Sequence, residues 1–366
     1  MITPDFPPRV GGISSYVFNL SQKLIDRGHR VTIITQGNGK EECEQTRGIK
    51  IYRTYYSNRL RPFHIHFHAI FVNQLLKSIE HDLDILHAHL PGAPPTFTSL
   101  RVAVTVHTLT LAGWTKYSVI NSMKRAVAFN LVFPLDRMVL ERADLVTAVS
   151  DTVSKELLEY HECESKVIGN AVDTEFFLPK RKKNTPPTVL YCGRLILEKG
   201  IIDLVKAAKH VRNRHPSISF VLAGSGPFKN ELQRRIRREG VSENFTLLGE
   251  VSREKLLWRY QNSTIFVLPS YYESFPNVIL EAMSCGLPIV TTRVCDMPKI
   301  VRDGKNGVLV PPGNPSALAE AILVLLENSD LRKKMGKASR ERSEAFYSLD
   351  KLADKMIDYY ALLQPR

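Results

Sequence analysis

The chain has 366 residues, of which 43% are hydrophobic and 24% charged, and it carries a formal net charge of +13 at pH 7. A chain of this length usually needs more than one hydrophobic core, so we expect a globular protein with two domains. The sequence contains no apolar run of about 18 residues and no secretory leader pattern, which argues against a membrane-spanning helix and predicts a cytoplasmic location.

The positive charge is unevenly distributed. Residues 1–180 contain 20 lysines and arginines against 18 aspartates and glutamates, whereas the remaining residues contain 30 against 19. A basic second half suits an anionic ligand, a nucleic acid or an acidic membrane surface, although a solvated basic face is an equally simple explanation. The five cysteines are scattered and never spaced as C-x-x-C, which favours reduced thiols over disulfides or structural zinc.

Short β-rich runs alternate with longer helical patterns, which is typical of parallel sheets with crossover helices. Many runs are apolar on both faces, as strands covered by helices on both sides must be. We count twelve runs, too many for one doubly wound sheet, and therefore predict an α/β protein with two Rossmann-like parallel sheets. In chain order they are VTIIT, IKIYRTY, DILHAHL, VAVTVH, LVTAVS, KVIGN, TVLYCG, ISFVLAG, FTLLG, IFVLPS, PIVTT and GVLV.

The first strand is expected to be unusually short. Only MIT precedes the segment PDFPPRVGG, whereas a first βαβ unit normally opens with a full apolar strand. The next segment has helical apolar spacing, at Tyr16, Leu20 and Leu24 among others. Gly28 is a suitable helix end, so we predict that the first helix stops there.

The domain boundary is indicated by LPKRKKNTPPT, residues 178–188, which combines a basic cluster with two prolines and has no periodicity. We assign residues 1–179 to a first domain, 180–187 to a linker and 188–345 to a second domain. Residues 346–366 have the pattern of an amphipathic helix with no strand after it, and we expect this helix to pack across the domains.

Gly11 and Gly12 lie between the first strand and its helix. Backbone N–H groups and the helix dipole favour an anion at such a position, but a tight turn also favours glycine for conformational reasons alone. Neither G-x-G-x-x-G nor G-x-x-x-x-G-K-[ST] occurs. The sequence therefore supports neither a dinucleotide-dependent dehydrogenase nor a P-loop nucleotide hydrolase.

The segment YCGRLILEKG places Arg194 just after a predicted strand and Lys199 at the entry of the next helix. Both cations would lie at the carboxyl edge of the second sheet, where open α/β sheets bind ligands. An arginine fork and a lysine ammonium from one loop suit a diphosphate. Two solvated surface cations after a strand are the simpler alternative for this segment taken alone.

The segment ESFPNVILE, Glu273 to Glu281, places two carboxylates eight positions apart. In a continuous helix they would lie roughly 12 Å apart along the axis and about 80° apart around it. Glycosidase carboxylates lie about 5–9.5 Å apart, so this pair is too distant for joint acid and base chemistry. We expect Glu273 or Ser274 to cap a helix whose first turn carries Pro276. Carboxylates repel a diphosphate but bind neutral hydroxyls, so beside two cations they indicate a nucleotide sugar.

A set of motifs occurs in a fixed order along almost the full chain. It comprises Gly11-Gly12, VTVHT, GRLILEKG, LAGSGP, LLGEVS, ESFPNVILEAMSCGLP and NGVLVPPG. This ordered set resembles the retaining glycosyltransferases of family 4, in which the two glutamates form an E-x7-E motif. The resemblance implies the GT-B fold: two Rossmann-like domains that face each other across a cleft, with a C-terminal helix crossing back to the N-terminal domain.

The resemblance also implies roles for individual residues. The position of Glu273 faces the donor sugar, and the position of Glu281 holds the ribose hydroxyls. The positions of Arg194 and Lys199 bind the donor diphosphate, and His107 lies at the reaction centre. The further donor-binding positions are Gly11 and Gly12 near the phosphate, the backbone at Val251 near the base, and Ser274, Phe275, Pro276, Asn277 and Val278 around the first glutamate.

The activity implied by the resemblance is that of a retaining, metal-independent hexosyltransferase. A nucleotide-diphosphate sugar, such as a UDP-sugar or a GDP-sugar, is the co-substrate, and no cofactor is expected. The sugar would pass through an oxocarbenium-like transition state while Arg194, Lys199 and a helix N-terminus stabilise the leaving diphosphate. No residue stands out in the sequence as a general base.

Two other functions stay open. Where the family often has Gly-Gly-x-Pro-Glu, this chain has a bulkier segment, Val294 to Lys299, with a lysine in place of the acid. This departure is the reason to consider a non-catalytic nucleotide-sugar-binding or scaffold protein of the same fold. A nucleotide-sugar epimerase is the third possibility, but no matching acid and base residues are evident.

Two stretches of the first domain contain no acidic residue, from Gln45 to Ile79 and from Arg101 to Leu135. Both mix cations with apolar residues, so they could lie on an anionic membrane surface. Helices that bury their apolar stripe in the core are an equally good explanation. Our preferred hypothesis is a peripheral membrane location and an acceptor that is lipid-linked or a cell-envelope glycan precursor, with no nucleic-acid partner.

Three histidines alternate within the first of these stretches, at His64, His66 and His68. On a strand they would share one face and could bind a metal, but no carboxylate or cysteine accompanies them. We therefore predict no metal site.

Overall fold

The computed structural model describes residues 1–9, 11–37, 42–54, 64–109, 133–180 and 186–363. They form two compact units, Met1–Ala171 with Leu349–Arg366, and Val172–Ser348. The segment 172–179 thus lies in the second unit, whereas the sequence analysis assigned it to the first. Most of the expected linker, 181–185, lies outside the described residues, so its assignment as a linker stays a prediction.

The described part of the first unit is built on one sheet with strand order β3-β4-β2-β1-β5-β6-β7-β8. Its strands are β1 (Ile2–Thr3), β2 (Thr32–Gln36), β3 (Glu42–Thr46), β4 (Ile49–Thr54), β5 (Ile85–Leu90), β6 (Arg101–Val106), β7 (Leu145–Ala148) and β8 (Lys166–Val167). Its described helices are α1 (Gly12–Asp26), α2 (His64–Ile79), α3 (Phe133–Leu140), α4 (Asp151–His161) and, from the end of the chain, α12 (Leu349–Tyr360).

The second unit has a sheet with strand order β11-β10-β9-β12-β13-β14, and all of its described pairings are parallel. Its strands are β9 (Thr188–Cys192), β10 (Ser219–Ala223), β11 (Phe245–Gly249), β12 (Ile265–Leu268), β13 (Ile289–Thr292) and β14 (Gly307–Val310). Its helices are α5 (Ile201–Arg214), α6 (Lys229–Arg238), α7 (Arg253–Gln261), α8 (Asn277–Ser284), α9 (Met297–Ile300), α10 (Pro315–Glu327) and α11 (Ser329–Tyr347).

All twelve predicted strands are present, and the short strand MIT is the two-residue β1, which pairs with both β2 and β5. The two predicted sheets are confirmed, and at one edge of the first an additional strand that the sequence did not predict, β3, pairs antiparallel with β4. All five residues of β3 are exposed. A strand without a buried face has no apolar periodicity, so no hydrophobic pattern could predict it.

The C-terminal helix α12 packs on α1 within the first unit, which confirms that the chain returns to this unit. Its apolar stripe joins a core that contains Tyr16 and Leu20. At the rim, Arg27 forms ion pairs with Asp350 and Asp354, at 3.2 and 2.7 Å. The first helix ends as predicted, because Arg27 is the C-cap and Gly28 follows with φ +85°.

The second unit is tied to the segment before β9 by Arg340 of α11. Its Nη1 atom, with two N–H donors, lies 2.9–3.0 Å from the carbonyl oxygens of Thr174, Phe177 and Ser284 and from the hydroxyl of Ser284. Phe177 is 3% exposed and belongs to the core of this unit. One cation thus closes the C-terminal end of α8 and fixes the entry of the chain into the second sheet.

Residues 64–68 are helical, because α2 begins at His64, so the proposed alternation of three histidines on one face of a strand was wrong. His68 is buried and its Nδ1 atom lies 2.7 Å from the hydroxyl of Thr54. Within α2, Val72 and Leu76 are fully buried while Ile70 is 62% exposed. Much of the two acid-free stretches, 55–63 and 110–132, lies outside the described residues. No helix in the described ranges is long and apolar enough to cross a membrane.

Candidate active site

The second sheet has the strand order of a classical doubly wound fold, with its switch point between β9 and β12. From β9 the chain winds outward through β10 and β11, and it then returns to the other side of β9 to form β12, β13 and β14. Loops after the two central strands diverge at such a point and leave a crevice at the carboxyl edge of the sheet. The predicted diphosphate-binding loop follows β9, and the first glutamate follows β12, so both lie at this crevice.

The loop after β9 holds Arg194 and Lys199 on a rigid frame. Arg194 is exposed, and its carbonyl oxygen accepts a hydrogen bond from the buried Tyr191 hydroxyl at 2.9 Å. Lys199 ends a one-turn 3-10 helix, Leu197–Lys199. The next residue, Gly200, has φ +64°, and a Cβ there would lie 1.9 Å from the carbonyl oxygen of Pro269. Only glycine permits this approach, which brings the loop after β9 against the loop after β12.

Lys199 and Glu273 contact each other directly, which the sequence did not predict. The ammonium nitrogen lies 2.5 Å from Oε1 of Glu273, and the two side chains are 18% and 7% exposed. The hydroxyl of Ser270, fully buried, donates to the same Oε1 at 2.7 Å. Both protein donors therefore converge on one carboxylate oxygen, and the described residues supply no donor to Oε2.

The helix after Glu273 begins later than predicted. Pro276 is the N-cap of α8, where the sequence analysis expected Glu273 or Ser274, and it makes no side-chain capping hydrogen bond. The carboxylate of Glu273 instead binds Lys199 and Ser270. Backbone N–H groups at a helix N-terminus favour an anion, so the start of α8 suits one. The other predicted donor-site residues of this segment, Ser274, Phe275, Asn277 and Val278, are all partly buried.

Glu281 lies in the second turn of α8, as predicted. Its Oε2 atom accepts a hydrogen bond from the hydroxyl of Tyr260 at 2.8 Å. Burial raises the pKa of Glu281, while the bond from Tyr260 and the charge of Arg253 act in the opposite direction. The carboxylate is thus partly desolvated but has a specific donor for one of its oxygens.

Val251 follows β11 and is partly buried, immediately before α7, whose N-cap Ser252 accepts from the backbone of Lys255. Beside it the chain is held by a bridge between Gly224 and Gly249. A Cβ on Gly224 would lie 2.0 Å from the carbonyl oxygen of Gly193, so three loops meet closely here. The backbone around Val251 is therefore fixed against the loop that carries Arg194.

In the first unit, Gly11 is the N-cap of α1 and Gly12 its first residue, and the first turn contains no acidic residue. His107 follows β6 and is 7% exposed. Its Nε2 atom lies 3.2 Å from Nδ1 of His89, and the ring of Tyr16 packs edge-on against it at 4.7 Å. Burial lowers the pKa of His107 to about 3, so the imidazole is neutral at physiological pH.

The sequence analysis did not identify the residues that form hydrogen bonds with the predicted site residues. Ser270 and His89 lie at the carboxyl ends of β12 and β5, so the rule that identified Arg194 would also have identified them. Tyr260 lies on the far end of a helix and gives no sequence signal. Among the described residues, no group of three or more histidines, cysteines or acids could hold a metal ion.

Two family profiles together match most of the chain: Glycosyltransferase Family 4 over residues 10–176 and Glycosyl transferases group 1 over residues 173–342. The chain belongs to this glycosyltransferase family. The family and fold expected from the ordered motifs are thus confirmed. The chain is a member of a retaining family that transfers sugars from nucleotide-sugar donors.

The similarity to individual proteins is low in identity but extends over whole chains. Glycogen synthase of Mycobacterium tuberculosis is 26% identical, over 98% of this chain and 93% of that protein. Sucrose-phosphate synthase of Thermosynechococcus elongatus has a TM-score of 0.82 at 22% identity, with 99% and 98% of the two chains covered. Anabaena HepE, solved in complex with UDP-glucose, has a TM-score of 0.74 at 18% identity, with 99% of each chain covered.

Proposed function

We propose that this family 4 glycosyltransferase moves a hexose, with retention of the anomeric configuration, from a nucleoside diphosphate hexose to an acceptor hydroxyl without a required metal. The observation that supports this function best is at the switch point of the second sheet. One loop offers Arg194 and Lys199, and the neighbouring loop offers Glu273 in direct contact with Lys199. Cations suit a diphosphate, and a carboxylate suits sugar hydroxyls.

In this proposal the leaving diphosphate binds at Arg194, Lys199 and the first turn of α8. Arg194 is exposed and free to form a bidentate contact. Lys199 would bridge the phosphate and Glu273, so the group that stabilises the leaving charge is linked to the group that faces the sugar. Fixed charges of this kind stabilise a transition state without reorganisation, which is electrostatic catalysis.

His107 is proposed to lie at the reaction centre as a neutral imidazole. Its lowered pKa, about 3, means that it acts through hydrogen bonds and not as a cation. Gly11 and Gly12 are proposed to lie near the donor phosphate, because their helix has no acid in its first turn. The backbone at Val251 is proposed to meet the base.

The acceptor is proposed to be lipid-linked or a cell-envelope glycan precursor, with the protein peripheral at a membrane. This part of the proposal depends on the two acid-free stretches of the first unit. Flotation with anionic liposomes tests it, and a protein that stays wholly in the supernatant would exclude the membrane location.

The donor is identified by a thermal-shift screen of UDP-, GDP- and ADP-sugars, followed by assays of hydrolysis and transfer with the sugar that binds. NMR of the product then reports its anomeric configuration. A stabilising donor that is turned over with retention supports the proposal. Binding without turnover on any acceptor extract would favour a non-catalytic nucleotide-sugar-binding protein, and no binding at all would contradict both.

A further inference from the structure

Glu281 is surrounded by side chains from three different elements. Tyr260 and Arg253 come from α7, Cys192 from the end of β9, and Cys285 is the C-cap of α8. Burial raises the pKa of both thiols to about 12, so they are neutral and add no negative charge beside Glu281. Tyr260 supplies the only direct donor to this carboxylate within the described part of the chain.

Tyr260 is held in one orientation. It is fully buried, and its ring packs against Phe177 and Phe266 with centroid distances of 5.9 and 5.7 Å. Its hydroxyl lies 3.3 Å from the carbonyl oxygen of Val278 and 2.8 Å from Oε2 of Glu281. The shorter contact is to the carboxylate, where a hydrogen bond is stronger because the acceptor is charged.

This contact leaves the two oxygens of Glu281 in different states. Oε2 accepts from Tyr260, whereas no described residue donates to Oε1. Oε1 is not among the buried polar atoms that lack a partner, so it keeps access to solvent and can accept a hydroxyl supplied by a ligand. Glu273 shows the same division, with both of its donors on Oε1.

We propose that Tyr260 is the positioning residue for Glu281: its hydroxyl holds one carboxylate oxygen, so that the other faces the ribose hydroxyls that the resemblance assigns to this position. This inference rests on the proposed function, because it assumes that a nucleotide binds at the second unit. It adds a residue that makes no contact with the substrate itself.

The test compares the wild type with Tyr260→Phe, which keeps the ring and removes only the hydroxyl. Binding of UDP, GDP and ADP, each with its 2′,3′-dideoxy counterpart, is measured by calorimetry. The wild type should prefer the ribose form of the nucleotide it binds. Tyr260→Phe should lose about tenfold in affinity for that form and nothing for the dideoxy form.

The pH dependence separates positioning from a general structural role. Without the tyrosine hydroxyl, the pKa of Glu281 should rise further above its usual range, because burial is then less opposed. As the pH is lowered, ribonucleotide binding to Tyr260→Phe should therefore weaken at a higher pH than binding to the wild type. The dideoxy nucleotide carries the same phosphates as the ribonucleotide. The difference between the two affinities therefore reports the contact of Glu281 with the ribose hydroxyls.

Two further variants complete the experiment. Tyr359→Phe is the matched control, since this buried tyrosine donates to the backbone carbonyl of Val146 in the first unit, and it should bind like the wild type. Adding Tyr260→Phe to Glu281→Gln should cause no further loss. Equal weakening of both nucleotide forms by Tyr260→Phe, or no weakening, would overturn the inference alone. Failure of every nucleotide to bind the wild type would overturn the proposed function and this inference with it.

Discussion

The close approach at Gly200 should make this position the most sensitive glycine of the site. A Cβ at residue 200 would lie 1.9 Å from the carbonyl oxygen of Pro269 and 2.8 Å from its carbonyl carbon, and real Cβ atoms essentially never approach below 3.0 Å. The backbone of one loop must therefore move by about 1 Å to accommodate alanine. Such a movement separates Lys199 from Glu273, because Pro269 immediately precedes Ser270.

The expected loss of unfolding free energy in Gly200→Ala has three contributions. Alanine at φ +64° costs about 1–2 kcal/mol in backbone conformation. The forced displacement adds about 1–3 kcal/mol. The backbone hydrogen bond from Tyr271 to the carbonyl of Glu198, now 2.8 Å, joins the same two loops and adds about 1 kcal/mol if it is lost. We therefore expect Gly200→Ala to destabilise the second unit by about 3 kcal/mol or more.

The matched control is Gly304→Ala. Gly304 has φ +71°, and a Cβ there would meet nothing within 4 Å, so only the conformational cost of about 1–2 kcal/mol applies. Urea unfolding is followed by the fluorescence of Trp258 on α7, after replacement of Trp114 by phenylalanine. If Gly200→Ala is no more destabilising than Gly304→Ala, the steric argument is refuted.

Three other changes test separate parts of the structure. Glu273→Gln keeps the shape of the side chain and removes the charge opposite Lys199. It should lower the free energy of unfolding by about 1–2 kcal/mol in the same urea assay. It should also lower the transfer rate much more than the donor affinity. Arg340→Ala removes contacts to three carbonyl oxygens and one hydroxyl, and should lower the free energy of unfolding by about 3 kcal/mol with Trp258 as the reporter. An unchanged urea midpoint would contradict the bridging role of Arg340. His87, His89 and His107 have pKa values lowered by burial, to about 3 for the first and last. The unfolded chain therefore binds more protons below about pH 6.5, and the first unit should lose stability as the pH falls through that value; constant stability from pH 7 to 5 would refute their burial as neutral rings.

The strands and the site edge were predictable because both depend on local patterns. Apolar runs bounded by turns identified twelve strands, and the parallel alternation then placed Arg194, Lys199 and Glu273 at one edge. The exposed strand β3 has no such pattern and was missed. The start of α8 was predicted too early, with Glu273 or Ser274 as the N-cap, whereas Pro276 has that position.

The contacts within the site could not be predicted because they join residues distant in sequence. Lys199 and Glu273 were assigned to different parts of the ligand, and nothing in either segment indicates that they touch each other. Tyr260 and Glu281 are likewise on different helices. Contacts of this kind depend on the order of the strands in the sheet. A single sequence therefore predicts at which edge of the sheet a residue lies, but not which other residue it contacts.

The spacing of the two glutamates follows from these partners. Glu273 precedes α8 and is held by the loop after β9, whereas Glu281 is one turn inside α8 and is held by α7. Each residue of a helix is rotated by about 100° from the last, so a carboxylate one position earlier or later would point away from the Tyr260 hydroxyl. Moving Pro276 would shift the start of the helix and have the same effect. Eight positions are thus the separation at which one carboxylate contacts Lys199 outside the helix while the other contacts Tyr260 from within it.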